Sequence, residues 1–128
     1  MHSRSLTLTV QPEILAVCRL EPTQSLPDWA LQGFFSMTRS PTELSIVCVQ
    51  TQVPSEIQAE TDWRCLRVEG VLDFSLTGIL AALATPLAEA GISIFALSTY
   101  DTDYLLVKQD QLTRAIETLK QAGFEVMG

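Results

Sequence analysis

In the second half of the chain the spacing of apolar positions switches between the period of a strand and that of a helix. The stretch WRCLRVEG (63–70) sets Cys65, Leu66 and Val68 among polar residues and stops at Gly70, the pattern of a strand. From Leu76 onward the apolar residues Leu76, Ile79, Leu80, Leu83, Leu87 and Ala90 fall at helical spacing. Asp73, Ser75 or Thr77 can cap the start of that helix, and Gly91 stops it. Pro86 should bend its last turns, because it lacks an N–H and crowds the preceding carbonyl. ISIFALST (92–99) and YLLVK (104–108) read as strands around a polar turn, with Phe95 and Leu97 in the core. Asp110 opens a second amphipathic helix with Leu112, Ile116 and Leu119 on one face, closed by Gly123 before a last strand, FEVM (124–127). The predicted order is β-α-β-β-α-β, the split βαβ arrangement of a ferredoxin-like fold.

The first half carries a rougher version of the same pattern. LTLTV (6–10) and ILAVCRL (14–20) read as strands parted by a Gln11-Pro12 turn. Ser25, Leu26 and Pro27 open a short helix that runs through Gln32. FFSMT (34–38) and LSIVCVQ (44–50) form a hairpin around 39–43, and 53–60 is at most the remnant of a helix. Laid over 98–107, the stretch 38–47 puts Thr42 on Thr102, Glu43 on Asp103 and Val47 on Val107, sixty positions apart. Such a repeat predicts an α+β chain of two ferredoxin-like βαββαβ units in tandem, the first degenerate. Residues 1–62 would form one unit and 63–128 the other.

Composition removes several classes of function. With 128 residues, 47% of them apolar, the chain can bury a core and holds one domain or two very small ones. A formal charge of −7 repels phosphate backbones and anionic lipid, so neither nucleic acid nor membrane is an expected partner. No stretch reads as a signal-peptide core or approaches a membrane span, which predicts a cytoplasmic protein. The three cysteines, Cys18, Cys48 and Cys65, are widely spaced and odd in number, so they read as buried thiols and not as a disulfide framework. His2 is the only histidine, which leaves a zinc site or a histidine-based triad without ligands. Neither a glycine-rich phosphate loop nor a nucleophile elbow is present, and no cofactor is expected.

The segments EGVLDFSLTGI (69–79) and STYDTDYLLV (98–107), taken together, resemble the C-terminal half of small tandem ACT-domain proteins. TRSPTELSIVC (38–48) resembles the hairpin of their first half. Relatives of that family include the arginine-sensing CASTOR proteins and the regulatory tail of aspartate kinases, in which ACT pairs bind an amino acid at the interface between two units. The resemblance implies a non-catalytic, amino-acid-binding regulatory protein. It carries over Gly70, Asp73, Leu76, Thr99 and Asp103 as ligand-site positions, with backbone groups from Val71 and Leu72 and an apolar wall from Phe74. Thr38, Ser40 and Glu43 hold the matching places in the first half.

The chemistry of these residues suits a zwitterion. The loop from Gly70 to Ser75 leads into a helix N-terminus, where unpaired N–H groups and the positive dipole end favour a carboxylate. Asp103, at the mouth of the following hairpin, can accept an ammonium in a charge-assisted hydrogen bond. Each residue also has a structural reading: Asp73 and Ser75 as N-caps, Asp103 as a turn acceptor, Asp101 as a solvated turn residue. Pro41 stands where the second hairpin has Asp101, which argues against an equivalent second site. Three functions stay open at this point. The first is an amino-acid-binding regulatory module, a homodimer through its sheet edges, acting on a regulated enzyme or regulator. The second is a ligand-free ACT scaffold for protein contact, and the third a small ferredoxin-fold hydrolase. The last lacks a basic phosphate cradle, because Arg4, Arg19, Arg39, Arg64, Arg67 and Arg114 are scattered.

Overall fold

The computed structural model describes residues 6–70 and 78–128. The expected site residues Val71, Leu72, Asp73, Phe74, Ser75 and Leu76 lie outside the described residues. Strands are β1 (Thr7–Leu20), β2 (Phe35–Arg39), β3 (Leu44–Val49), β4 (Ala59–Val68), β5 (Ile94–Ser98), β6 (Asp103–Lys108) and β7 (Glu125–Met127); the helices are α1 (Ile79–Glu89) and α2 (Leu112–Gln121). Two compact units divide the chain, one of residues 13–63 and one of residues 1–12 with 64–128.

In the 13–63 unit the strand order is β2-β3-β1-β4, the order of a ferredoxin-like sheet. β1 and β3 run antiparallel from Leu15 opposite Val49 to Leu20 opposite Leu44. The Arg19 N–H donates to Gln58 O at 3.0 Å where β4 approaches β1. Both helices of the motif are reduced to single 3-10 turns, Asp28–Ala30 and Gln50–Gln52. The helix expected over 25–32 is therefore absent. Pro27 starts the turn, but only Ala30 of the three turn residues is buried, and one buried residue cannot support further turns. The helical remnant expected over 53–60 is likewise absent, and β4 begins at Ala59. Ala16, Cys18, Leu20, Leu44, Ile46 and Cys48 fill the core between the strands and these turns.

The second unit orders its strands β5-β6-β4-β1-β7. Its β4-α1-β5-β6-α2-β7 succession is the predicted βαββαβ run, with one addition. The first residues of β1 lie between β4 and β7: the Glu69 N–H donates to Thr7 O at 2.8 Å, and β1 pairs in parallel with β7 from Thr7–Glu125 to Thr9–Met127. The turn expected at Gln11-Pro12 does not form, and β1 is one strand of 14 residues. Its inward positions explain this. Within each unit the β1 residues of the core are even-numbered, Leu8 and Val10 in one and Ala16, Cys18 and Leu20 in the other, while Leu15 is buried on the odd phase.

Helices α1 and α2 cover the sheet of this unit through Ile79, Leu83, Leu87, Ala115 and Leu119, which pack on Leu66, Val68, Leu105 and Val107. Ile116, expected on the buried face of α2, is half-buried and outside this core. Phe95 and Leu97, read as core residues, are half-buried as well, because Ile94 takes the inward phase of β5 and they take the other. All three cysteines are buried and unbridged. Among the described residues no helix is long and apolar enough to cross a membrane.

Candidate functional site

One four-residue turn joins the hairpin strands of each unit, and both turns are closed by a hydroxyl. In the 99–102 turn Thr99 N–H donates to Thr102 O at 2.8 Å, the Thr99 hydroxyl donates to the same carbonyl at 3.1 Å, and Thr102 N–H donates to the Thr99 hydroxyl at 3.3 Å. In the 40–43 turn Ser40 N–H donates to Glu43 O at 2.9 Å, while the Ser40 hydroxyl accepts from the N–H groups of Thr42 and Glu43 at 3.3 Å. A side-chain oxygen that bonds its own backbone two or three residues on is how Ser and Thr make turns. Ser40 therefore corresponds to Thr99 and Glu43 to Thr102, an offset of fifty-nine. The alignment by sixty, which set Glu43 on Asp103, is one residue out.

Thr102 links the second turn to the rest of its unit. It is 2% exposed, and its hydroxyl donates to Val68 O at 2.8 Å near the end of β4. Gly70 follows two residues later with φ +89°, a backbone conformation that favours glycine, and an added Cβ there meets nothing within 4 Å among the described residues. The hairpin apex and the exit of β4 thus meet at one corner, from which the chain continues to α1. Asp103 stands at that corner on the phase of Leu105 and Val107, the face that α1 covers. One of its carboxylate oxygens accepts from the Ser98 hydroxyl at 2.7 Å, across a direct strand pair. Asp103 is half-buried, and its second oxygen has no bond among the described residues.

The opposite face of the same strands carries residues that the sequence reading missed. Arg67 hydrogen-bonds Tyr104 and lies 3.4 Å from a Glu69 oxygen. The Tyr104 oxygen, with the charges of Glu69 and Asp101, holds the guanidinium above its ordinary range. The available signal was the i, i+2 spacing of Arg67 and Glu69 on a strand ending at the hairpin, which sets both on one face.

Of the first-half candidates, Ser40 is used inside its own turn. Glu43 lines a depression with Arg19, Ser45, Gln58 and Glu60. Thr38 is exposed on β2 opposite Ser45 and does not line it. The structure therefore brings Gly70, Thr99 and Asp103 together in one unit and Ser40 and Glu43 together in the other. No group of three or more His, Cys, Asp or Glu suited to a metal occurs among the described residues.

The split βαββαβ unit with its hairpin corner belongs to a known class: the ACT-domain family model matches residues 58–121, half the chain, and the chain belongs to that family. A further family model, for an N-terminal domain, matches residues 13–56. Cytosolic arginine sensor for mTORC1 subunit 1 of Mus musculus is 34% identical over 142 residues, covering 94% of this chain and 43% of that protein. The Homo sapiens protein of the same name is 34% identical over 107 residues, with 75% and 32% covered. The chain thus spans less than half the length of these relatives. A crystal structure of an Agobacterium tumefaciens protein matches with TM-score 0.92 and 33% identity, over 98% of this chain and 94% of that one. The regulatory subunit of aspartate kinase from Thermus thermophilus shares the fold, with TM-score 0.62 and 14% identity over 93% and 99% of the two chains.

Proposed function

We propose that the chain is a non-catalytic regulatory module that senses a free amino acid at the corner formed by Gly70, residues 71–76, Thr99 and Asp103. The ligand's ammonium meets the remaining oxygen of Asp103, and N–H groups of the 70–76 loop receive its carboxylate. The observation that carries this reading is the bond from Thr102 to Val68 O, which supports a shared corner for the hairpin apex and the end of β4. Relatives at 34% identity named as arginine sensors support an amino acid as the ligand class. The same reading takes the protein to be cytoplasmic and a homodimer, with a regulated enzyme or regulator as partner.

A second reading, a ligand-free ACT scaffold, draws on a specific observation: Thr99 is used in the turn and Asp103 already accepts from Ser98. A thermal-shift screen against the twenty amino acids at millimolar concentration, run on the native chain and on Asp103→Asn, separates the two, since only a response at this corner is lost in the variant. A ligand at a hundred times its Kd should stabilise by about 2.7 kcal/mol, several degrees at this size. No shift with any of the twenty favours the scaffold.

A further inference from the structure

The depression in the 13–63 unit has a volume of about 180 Å³ and is lined by residues of that unit, whereas the corner described above belongs to the other unit. Arg19 is central to it. Ser45 is its partner across the β1–β3 pair, and Gln58 O accepts its backbone N–H on the other side. Arg19 and Ser45 are out of phase with the core residues Cys18, Leu44 and Ile46, which puts their side chains on the sheet face away from that core, and Cys18 and Ala59 also border the depression. Glu43 and Glu60 lie on either side of Arg19, and Val17 adds apolar surface.

Arg19 and Glu43, two of the three charged residues in this depression, are held differently. One Nη of Arg19 donates to Thr42 O at 2.9 Å and the other lies 3.5 Å from Glu21, so the guanidinium is fixed in direction. Glu43 closes its turn with backbone groups alone. Its carboxylate, on a half-buried residue, makes no hydrogen bond or ion pair among the described residues. The other hairpin has Thr102 at this place and uses that side chain to tie the turn to β4. The fold thus does not need an acid at Glu43, yet sets one beside a fixed cation.

We propose that this depression is a second binding site, for a small zwitterion carrying a primary ammonium group. The ligand's carboxylate meets Arg19 and the Ser45 hydroxyl, and its ammonium meets Glu43 on the neighbouring strand. Gln58 and Glu60 border the far side and limit the ligand's length. Two charge-assisted contacts of about 1.5–3 kcal/mol each give roughly a tenfold to hundredfold loss of affinity when one is removed.

The test is an amide-resolved NMR titration of the full chain with each of the twenty amino acids, and with glycine betaine as a zwitterion without N–H donors. At least one amino acid should shift the amides of residues 17–19, 43–45 and 58–60, and glycine betaine should not. Glu43→Gln should raise the Kd at least tenfold while leaving the spectrum otherwise superimposable. Should Glu43→Gln fail to fold, Ser45→Ala serves as the second variant, with a smaller loss. Asp103→Asn should leave these shifts in place, which separates this site from the one proposed above. The site is refuted if no amino acid shifts these amides at millimolar concentration, if Glu43→Gln binds as the native chain does, or if Asp103→Asn abolishes the shifts.

Discussion

The Thr102 hydroxyl donates to Val68 O at 2.8 Å and is itself 2% exposed, so one buried bond fastens the β5–β6 apex to the end of β4. Val68 is fully buried, so its carbonyl accepts this bond out of reach of solvent. Thr102→Val keeps the volume and removes the donor. It should lower the free energy of unfolding by about 1–3 kcal/mol, the cost of a buried group left unpaired. Thr102→Ser should recover most of that loss. Urea unfolding checks both, with the midpoint moving and the slope unchanged.

Ser98 and Asp103 face one another across the same hairpin, with the Ser98 hydroxyl 2.7 Å from a carboxylate oxygen. Asp103→Asn retains an oxygen that can accept this bond and removes only the charge. Unliganded stability should change by about 0.5 kcal/mol or less, as for substitutions that leave packing alone. The part of an amino-acid-induced rise in Tm that comes from binding at this corner should be lost, which a paired thermal-shift measurement on the native chain and the variant reads. Loss of unliganded stability with the ligand response intact would favour a turn-acceptor role.

The elements of the second half were legible because each spans several periods of its own pattern. Leu83, Leu87 and Leu119 lie buried where helical spacing put them. The first half was harder for a physical reason: three-residue 3-10 turns are too short to show any period, so Asp28–Ala30 and Gln50–Gln52 left no trace. Pro12 was misread as a breaker because a proline says nothing about whether the pleat resumes in phase on its far side. The even-numbered phase of the core residues on either side of it carried that information. At the site, Gly70 and Asp103 could be read from residue type alone. The Thr102 bond could not, since it joins positions 34 apart in sequence. Nor could the one-residue error in the repeat be seen until the roles of Ser40 and Thr99 fixed the offset.

Gly70 takes φ +89°, with open space among the described residues where a side chain would stand. Gly70→Ala meets no clash among them, and its cost is conformational, about 1–2 kcal/mol for a left-handed alanine. Thermal unfolding should show a drop of that size. The corner's ligand response should weaken further, because relaxing the strain would redirect the chain that leaves β4.

Cys18 and Cys48 lie diagonally across the β1–β3 pair, Cys18 opposite Ile46 and Cys48 opposite Ala16, and both are buried in the same core. Their thiols hydrogen-bond one another, and this makes the two protons unequal. A bond from the Cys48 S–H to the sulfur of Cys18 favours the Cys18 thiolate and lowers its pKa, against the effect of burial. The same bond, then burial, then the charge of that thiolate, push Cys48 far above its usual range. In the unfolded chain both titrate near 9.0. Below 9.0, and above the folded value of Cys18, the unfolded chain binds more protons, so Cys18 adds stability as pH rises. Above 9.0 the unfolded chain has given up the Cys48 proton while the folded chain keeps it. The stability contributed by Cys48 is then lost with rising pH, at up to about 1.4 kcal/mol per unit. Groups other than this pair cancel in a comparison with the double variant Cys18→Val/Cys48→Val. The difference in unfolding free energy between the native chain and that variant should therefore fall as pH rises beyond 9.0. Parallel curves across that range would mean that the two thiols titrate alike in the folded and unfolded chain, without the shared hydrogen bond.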